Sequence, residues 1–119
     1  MIDRPKTLFI DIDGTLLFHH GCGNLQTNVQ PIVLPGVYEK FDEWDRKGYK
    51  IFLITGRRES ERRKTEEQLQ SLCIVYDELI MGLGGGVRVL INDLKANTKT
   101  PTALAFCVDR NKGIRDIDV

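Results

Sequence analysis

Thr7-Leu8-Phe9-Ile10-Asp11-Ile12-Asp13-Gly14-Thr15-Leu16 is the stretch on which the fold turns. Thr7 to Ile12 is a short run rich in Leu, Ile and Phe, and Asp13-Gly14-Thr15 closes it with a turn signal. A short apolar run bounded in this way fits a strand buried on both faces, as a parallel sheet requires. The two-residue alternation of a strand points Asp11 and Asp13 to the same side. Two close carboxylates repel each other, and a hard divalent cation relieves the repulsion. Mg²⁺ takes one or two carboxylates plus waters and phosphate oxygens. Gly14 lets the backbone turn tightly there. On these residues alone, a turn with capping carboxylates is an equal alternative.

Working outward, Phe18 to Leu34 has no helical period and reads as a loop or small β-excursion. Pro35-Gly36 opens a helix in which Val37, Phe41 and Trp44 share one face, and Gly48 stops it. Ile51 to Ile54 is a second buried strand, ending at Thr55-Gly56-Arg57. Glu59 to Leu72 is a surface helix with Arg62, Thr65, Leu69 and Leu72 on one stripe. Cys73 to Tyr76 is a candidate third strand, and Leu79 to Met81 a short fourth. Gly82 to Gly86 is a flexible turn rather than a dinucleotide fingerprint, because Val87 stands where a glycine is required. Val87 to Ile91 is a strand ending at Asn92-Asp93. Ala103 to Val108 is a last strand or buried segment, and Asp109 to Val119 reads as a polar tail.

Strands alternating with helices predict a parallel sheet with helices on both faces. Right-handed crossovers put all carboxyl strand ends on one edge, where open α/β sheets bind ligands. The polar groups Asp11/Asp13, Thr55 and Asp93 then converge.

Composition limits the alternatives. The chain has 119 residues, 41% hydrophobic and 29% charged, which predicts one globular domain over 1–119. Lys plus Arg equals Asp plus Glu at 17 each, so the balance speaks against a general nucleic-acid or membrane-surface binder. The longest apolar run, Ala103 to Val108, is far short of a membrane span, and Asp3, Arg4 and Lys6 interrupt any secretory signal. Cys22, Cys73 and Cys107 form no CxxC pair and read as free thiols of a cytoplasmic protein.

Three stretches match a known family. Phe9 to Leu16 resembles the first motif of the haloacid dehalogenase superfamily of phosphohydrolases. Ile51 to Arg57 resembles its second motif, a hydrophobic strand ending in Thr or Ser. Val89-Leu90-Ile91-Asn92-Asp93 resembles its fourth, although many members carry two acids where this chain has Asn92-Asp93. The resemblance spans about residues 6 to 95 and implies a three-layer, Rossmann-like core with a mostly parallel sheet of about five strands. It also implies a Mg²⁺-dependent phosphomonoesterase in which Asp11 attacks phosphorus and forms an aspartyl-phosphate. Asp13 would act as general acid and then general base. Asp11, Asp13 through its backbone carbonyl, and Asp93 would hold the metal, and Thr55 would bind a phosphate oxygen.

The family's third motif, a Lys or Arg, has no clean match. No Lys lies between Lys64 and Lys95, so Arg88 is the first choice and Lys64 the second. Gly56 and Arg57 beside Thr55, and His19 and His20 in the flap, are candidates to touch substrate. His19, His20 and Cys22 lack a fourth ligand for zinc. The distances between motifs leave no room for a cap domain. An open site of this kind suits a large substrate or a lid from a second subunit, so a homo-oligomer is expected. Brevity and the stretch Tyr76 to Gly82 resemble phosphatases of sugar-phosphate metabolism, which implies a small-molecule phosphate ester as substrate and no nucleic acid. The alternatives are a nucleic-acid-end phosphatase and a non-catalytic or receiver-like phosphate-binding module. Asp13, two residues past the nucleophile, favours turnover over a receiver.

Overall fold

The computed structural model describes residues 4–21 and 25–119. Strand β1 (Thr7–Asp11) is followed by a short helix α1 (Leu25–Asn28), helix α2 (Val37–Arg46) and strand β2 (Lys50–Ile54). A 3₁₀ turn (Glu59–Glu61), helix α3 (Arg62–Ser71) and strand β3 (Glu78–Ile80) complete the regular structure. The strands form one parallel sheet in the order β1-β2-β3, with Asp11 beside Ile54 and Ile54 beside Ile80.

This register sorts the side chains into two unlike faces. Ile10, Ile51, Leu53 and Leu79 lie on one face and are buried. Val37 and Trp44 of α2 and Leu69 of α3 are buried in the same core. With strands added in sequence order, two crossovers of the usual right hand land on one side of the sheet. The other face carries Phe9, Phe52, Ile54 and Ile80. Phe9 remains 52% exposed there, with its ring edge against Phe52. Among the described residues the sheet therefore has three strands rather than about five, and its buried helix residues pack on one face. The small α/β arrangement is consistent with a Rossmann-like fold with fewer strands than expected.

The reason lies past Leu83. Val87 to Ile91, read as a strand, joins no ladder among the described residues, and Val87, Val89 and Ile91 are 93%, 78% and 89% exposed. With Ala103 to Val108, outside any strand and exposed from Leu104 to Cys107, it forms a projecting arm. A Leu94–Pro101 bridge closes the arm's tip. Cys73 to Tyr76 is a connection, not a strand: Cys73 turns the chain with φ 59° and Ile74 plugs the core. The short strand expected at Leu79 to Met81 is present one residue earlier, at Glu78–Ile80.

The chain's last residues are not a free polar tail. Ile114 is buried and its N–H donates to the Pro35 carbonyl, while Asn111 N–H donates to the Gly14 carbonyl. Gly113 makes the close approach possible: its φ is +91°, and a Cβ there would overlap the Pro35 backbone. Gly113→Ala is expected to cost at least about 2 kcal/mol, because the left-handed strain and the overlap add. Urea unfolding followed by Trp44 fluorescence checks this, and an unchanged midpoint would show that the segment is not anchored there.

Candidate active site

Strand pairing fixes the site's frame. Asp11 ends β1 directly beside Ile54, so Thr55-Gly56-Arg57 leaves β2 next to Asp11-Ile12-Asp13. Gly14 turns the chain with φ +93°, and Gly14 N–H donates to the Leu17 carbonyl at 2.7 Å. The returning chain pairs Phe18 N–H with the Ile32 carbonyl, so the expected loop or β-excursion is a narrow flap. Helix α1 sits within it.

Asp11 is partly buried, and its carboxyl accepts from Thr15 Oγ1 at 3.3 Å. Burial pushes its pKa above the ordinary carboxylate value, and the Asp13 charge pushes the same way. The Thr15 bond and the positive charge of Arg88 oppose the rise. Thr55 is buried, and its Oγ1 accepts from the Arg57 N–H at 3.0 Å. That bond fixes the turn through Gly56.

Arg57 is the centre of the arrangement. Its Nε and Nη2 donate to the two oxygens of Asp13 at 2.8 and 2.7 Å, a bidentate pair. The two side chains are only 6% and 13% exposed. Nη1 donates to Thr65 Oγ1 at 3.0 Å and Gln68 Oε1 at 2.7 Å, both on α3. Gln26 Nε2 donates to Asp13 Oδ1 at 2.7 Å and to the Phe18 carbonyl at 3.0 Å. Gln68 Nε2 donates to the Gln26 carbonyl at 2.8 Å and closes the ring. Thr65, Gln68 and Gln26 escape a reading by motif. Thr65 and Gln68, three residues apart on one face of α3, carry a faint signal, whereas Gln26 lies in a stretch without period.

The remaining candidates are placed as follows. Arg88 Nη1 donates to the Gly84 and Gly86 carbonyls at 2.6 and 2.7 Å, at the root of the arm. Lys64 is exposed and reaches Asn28 Oδ1 at 3.4 Å. It lines an open cleft of about 570 Å³ between α1 and α3, which Gln68 connects to Arg57. His19 is held by Asn111: its N–H donates to Asn111 Oδ1 at 2.7 Å, and its ring accepts from Gly21 N–H. His20 packs its ring against Phe18, with Nε2 buried and unpartnered among the described residues. Cys22 lies outside the described residues.

Asp93 is not brought to the strand ends. It sits exposed near the arm's tip, with Thr102 Oγ1 donating to its backbone carbonyl. Among the described residues no group of three or more His, Cys, Asp or Glu stands close enough to hold a metal ion. The donors left for Mg²⁺ are Asp11, whose pKa is raised chiefly by burial and further by the Asp13 charge, and the Asp13 carbonyl. That set fits an ion keeping most of its waters, not a caged one. No helix among the described residues is long and apolar enough to cross a membrane.

No protein-family model matches the chain, and no curated protein matches it. Solved structures do. A chain of the Pnkp1/Rnl/Hen1 RNA repair complex is 32% identical with a TM-score of 0.56, covering 65% of this chain and 25% of that one. A chain from another structure of the Pnkp1/Rnl/Hen1 complex is 31% identical with a TM-score of 0.58, covering 81% of this chain and 32% of that one. A protein from Vibrio cholerae is 23% identical with a TM-score of 0.53, covering 74% of this chain and 80% of that one, and is a likeness of fold alone. The chain therefore spans a third or less of the RNA repair chains it resembles.

Proposed function

We propose that the chain is a Mg²⁺-dependent phosphomonoester hydrolase of the haloacid dehalogenase type, acting on the phosphate at a nucleic-acid end. The observation that carries the reaction class is the register Asp11–Ile54, which sets a partly buried Asp11 beside Thr55 and the Arg57–Asp13 pair. The substrate class is supported by the likeness to RNA repair complex chains. The balanced charge is compatible with this reading, since a terminal phosphate needs a local site rather than a basic surface.

The residues divide the work. Asp11 Oδ attacks phosphorus in line with the leaving oxygen, and water then opens the aspartyl-phosphate. Thr55 Oγ1 offers its hydroxyl proton to a phosphate oxygen while accepting from Arg57 N–H. Arg57's fork matches phosphate as well as carboxylate, so a bound phosphate competes with Asp13 for it. Asp13, once released from the guanidinium, takes a proton from solvent, gives it to the leaving oxygen, and later takes one from the attacking water. Mg²⁺ at Asp11 and the Asp13 carbonyl would shield the anionic nucleophile from the anionic substrate. Of the two candidate cations, Arg88 is the better, because its charge already acts on Asp11.

Phosphate release from a 5′- or 3′-phosphorylated oligoribonucleotide, with and without Mg²⁺, tests this. Release from the oligonucleotide at least tenfold faster than from sugar phosphates is expected. Faster release from sugar phosphates would restore the small-metabolite reading, and none from any ester would favour a phosphate-binding module.

A further inference from the structure

The flap that returns from the nucleophile turn is bonded as a strand, and side chains make its last rungs. Leu34 N–H donates to the Leu16 carbonyl at 2.9 Å, and Phe18 N–H to the Ile32 carbonyl at 2.8 Å. Residues 16, 18 and 20 therefore present their backbone groups to one edge. Gln26 continues that ladder: its Nε2 donates to the Phe18 carbonyl at 3.0 Å, and its Oε1 accepts from His20 N–H. The opposite edge begins with Gly14 N–H on the Leu17 carbonyl. There the Asn111 carboxamide takes the next place, accepting from His19 N–H at 2.7 Å and donating to the His19 carbonyl at 3.3 Å. Two side-chain amides thus hold Phe18, His19 and His20 from both edges, as neighbouring strands would.

Asn111 is itself seated on the nucleophile turn. Its N–H donates to the Gly14 carbonyl at 2.8 Å. Its φ of 64° is the left-handed conformation that Asn tolerates better than most residues. The preceding Arg110 lies over Gly14, its Cγ 3.2 Å from where a Cβ would stand.

The clamp also sorts the rings. Phe18 and His20 touch on one face, with centroids 5.0 Å apart, so His19 turns to the other. The His19 Cβ comes within 3.7 Å of the space that a Cβ on Gly14 would fill. Its Nδ1 accepts from Gly21 N–H at 3.1 Å, which puts the neutral ring's proton on Nε2. The ring then offers a single donor beside the turn that carries Asp13.

We infer that Asn111 is a positioning residue. By pairing with both backbone groups of His19 it holds the imidazole against the nucleophile turn, where Nε2–H donates to an oxygen of the terminal nucleotide. The identity of that oxygen rests on the hydrolase reading, whereas the clamp does not. A carboxylate at 111 would not serve, because it sets an oxygen against the His19 carbonyl.

Asn111→Gly tests this without strain, since glycine keeps the left-handed backbone and the bond to Gly14. Amide exchange followed by NMR should show His19 N–H at least about tenfold faster in the variant, with Phe18 N–H unchanged. Binding of a 5′- or 3′-phosphorylated oligoribonucleotide is measured in metal-free buffer, so that nothing is turned over. Asn111→Gly should weaken it at least about fivefold, and Asn111→Asp as much. In His19→Ala protein the backbone clamp stays but the ring is gone, and there Asn111→Gly should move the affinity less than about twofold. Unchanged His19 exchange, an equal loss with and without the ring, or a parent that binds no oligonucleotide overturns the inference. These shifts in a chain that releases phosphate from no ester would remove only the hydrolase reading. Phosphate release with unmoved binding would remove only the role of Asn111.

Discussion

Arg57→Ala is expected to destabilise the chain by about 3–5 kcal/mol, the largest loss of any single polar substitution here. The guanidinium uses three of its nitrogens, two on Asp13 and one on Thr65 and Gln68. With both partners of the pair nearly buried, its removal leaves a carboxylate largely away from water with Gln26 as its side-chain donor among the described residues. A domain of this size has about 5–15 kcal/mol in all, so the variant sits close to unfolding at room temperature. Arg57→Lys should recover little, because one ammonium cannot replace a planar fork reaching three side chains. Asp13→Ala combined with Arg57→Ala should cost clearly less than the two single losses added, since the second change removes the group that the first left unpaired. Urea unfolding of the four proteins checks this. A single-variant loss below about 1 kcal/mol, or strict additivity, would show that the pair is solvated and structurally idle.

The same pair shows where the sequence stops being readable. Asp11, Asp13 and Thr55 were legible because local chemistry fixes them: an apolar run, a Gly turn and a carboxylate two residues on place the acids at a strand's end whatever else the chain does. Val37, Trp44, Thr65 and Leu69 were legible through helical period, and each is buried. Arg57 is readable as a candidate to touch substrate because it follows Thr55, but its pairing with Asp13 is not. Nothing between residues 13 and 57 announces that meeting, which depends on parallel register. Gln26 depends on the flap's return path and carries no pattern at all. Val87 to Ile91 failed in the opposite way. Its apolar content is that of a buried strand, and period reports only that a segment should be covered. It cannot say by which neighbour, so an arm that finds no place in its own sheet reads the same as an inner strand. Asp93 follows that segment and is displaced with it.

Asp11→Asn is expected to remove at least about 10³-fold of phosphate release, the loss that follows when a covalent nucleophile is deleted. The sign of its effect on stability separates this role from a structural one. Burial, then the Asp13 charge, raise the Asp11 pKa above its unfolded value. The folded chain then holds this proton more tightly than the unfolded one, so stability falls as pH rises from the ordinary carboxylate range through the raised pKa. At pH 7 ionised Asp11 costs the metal-free protein stability, and the neutral amide removes that cost while still accepting from Thr15 Oγ1. The variant should therefore melt above the parent at pH 7, with the gap closing as pH falls through and below the ordinary carboxylate range. Added Mg²⁺ should raise the melting temperature of the parent and leave the variant unmoved, because a ligand stabilises only the state that binds it. A variant that melts lower than the parent at pH 7 would make Asp11 a structural acid. One that still releases phosphate would end the aspartyl-phosphate mechanism, even if Mg²⁺ continued to stabilise the parent.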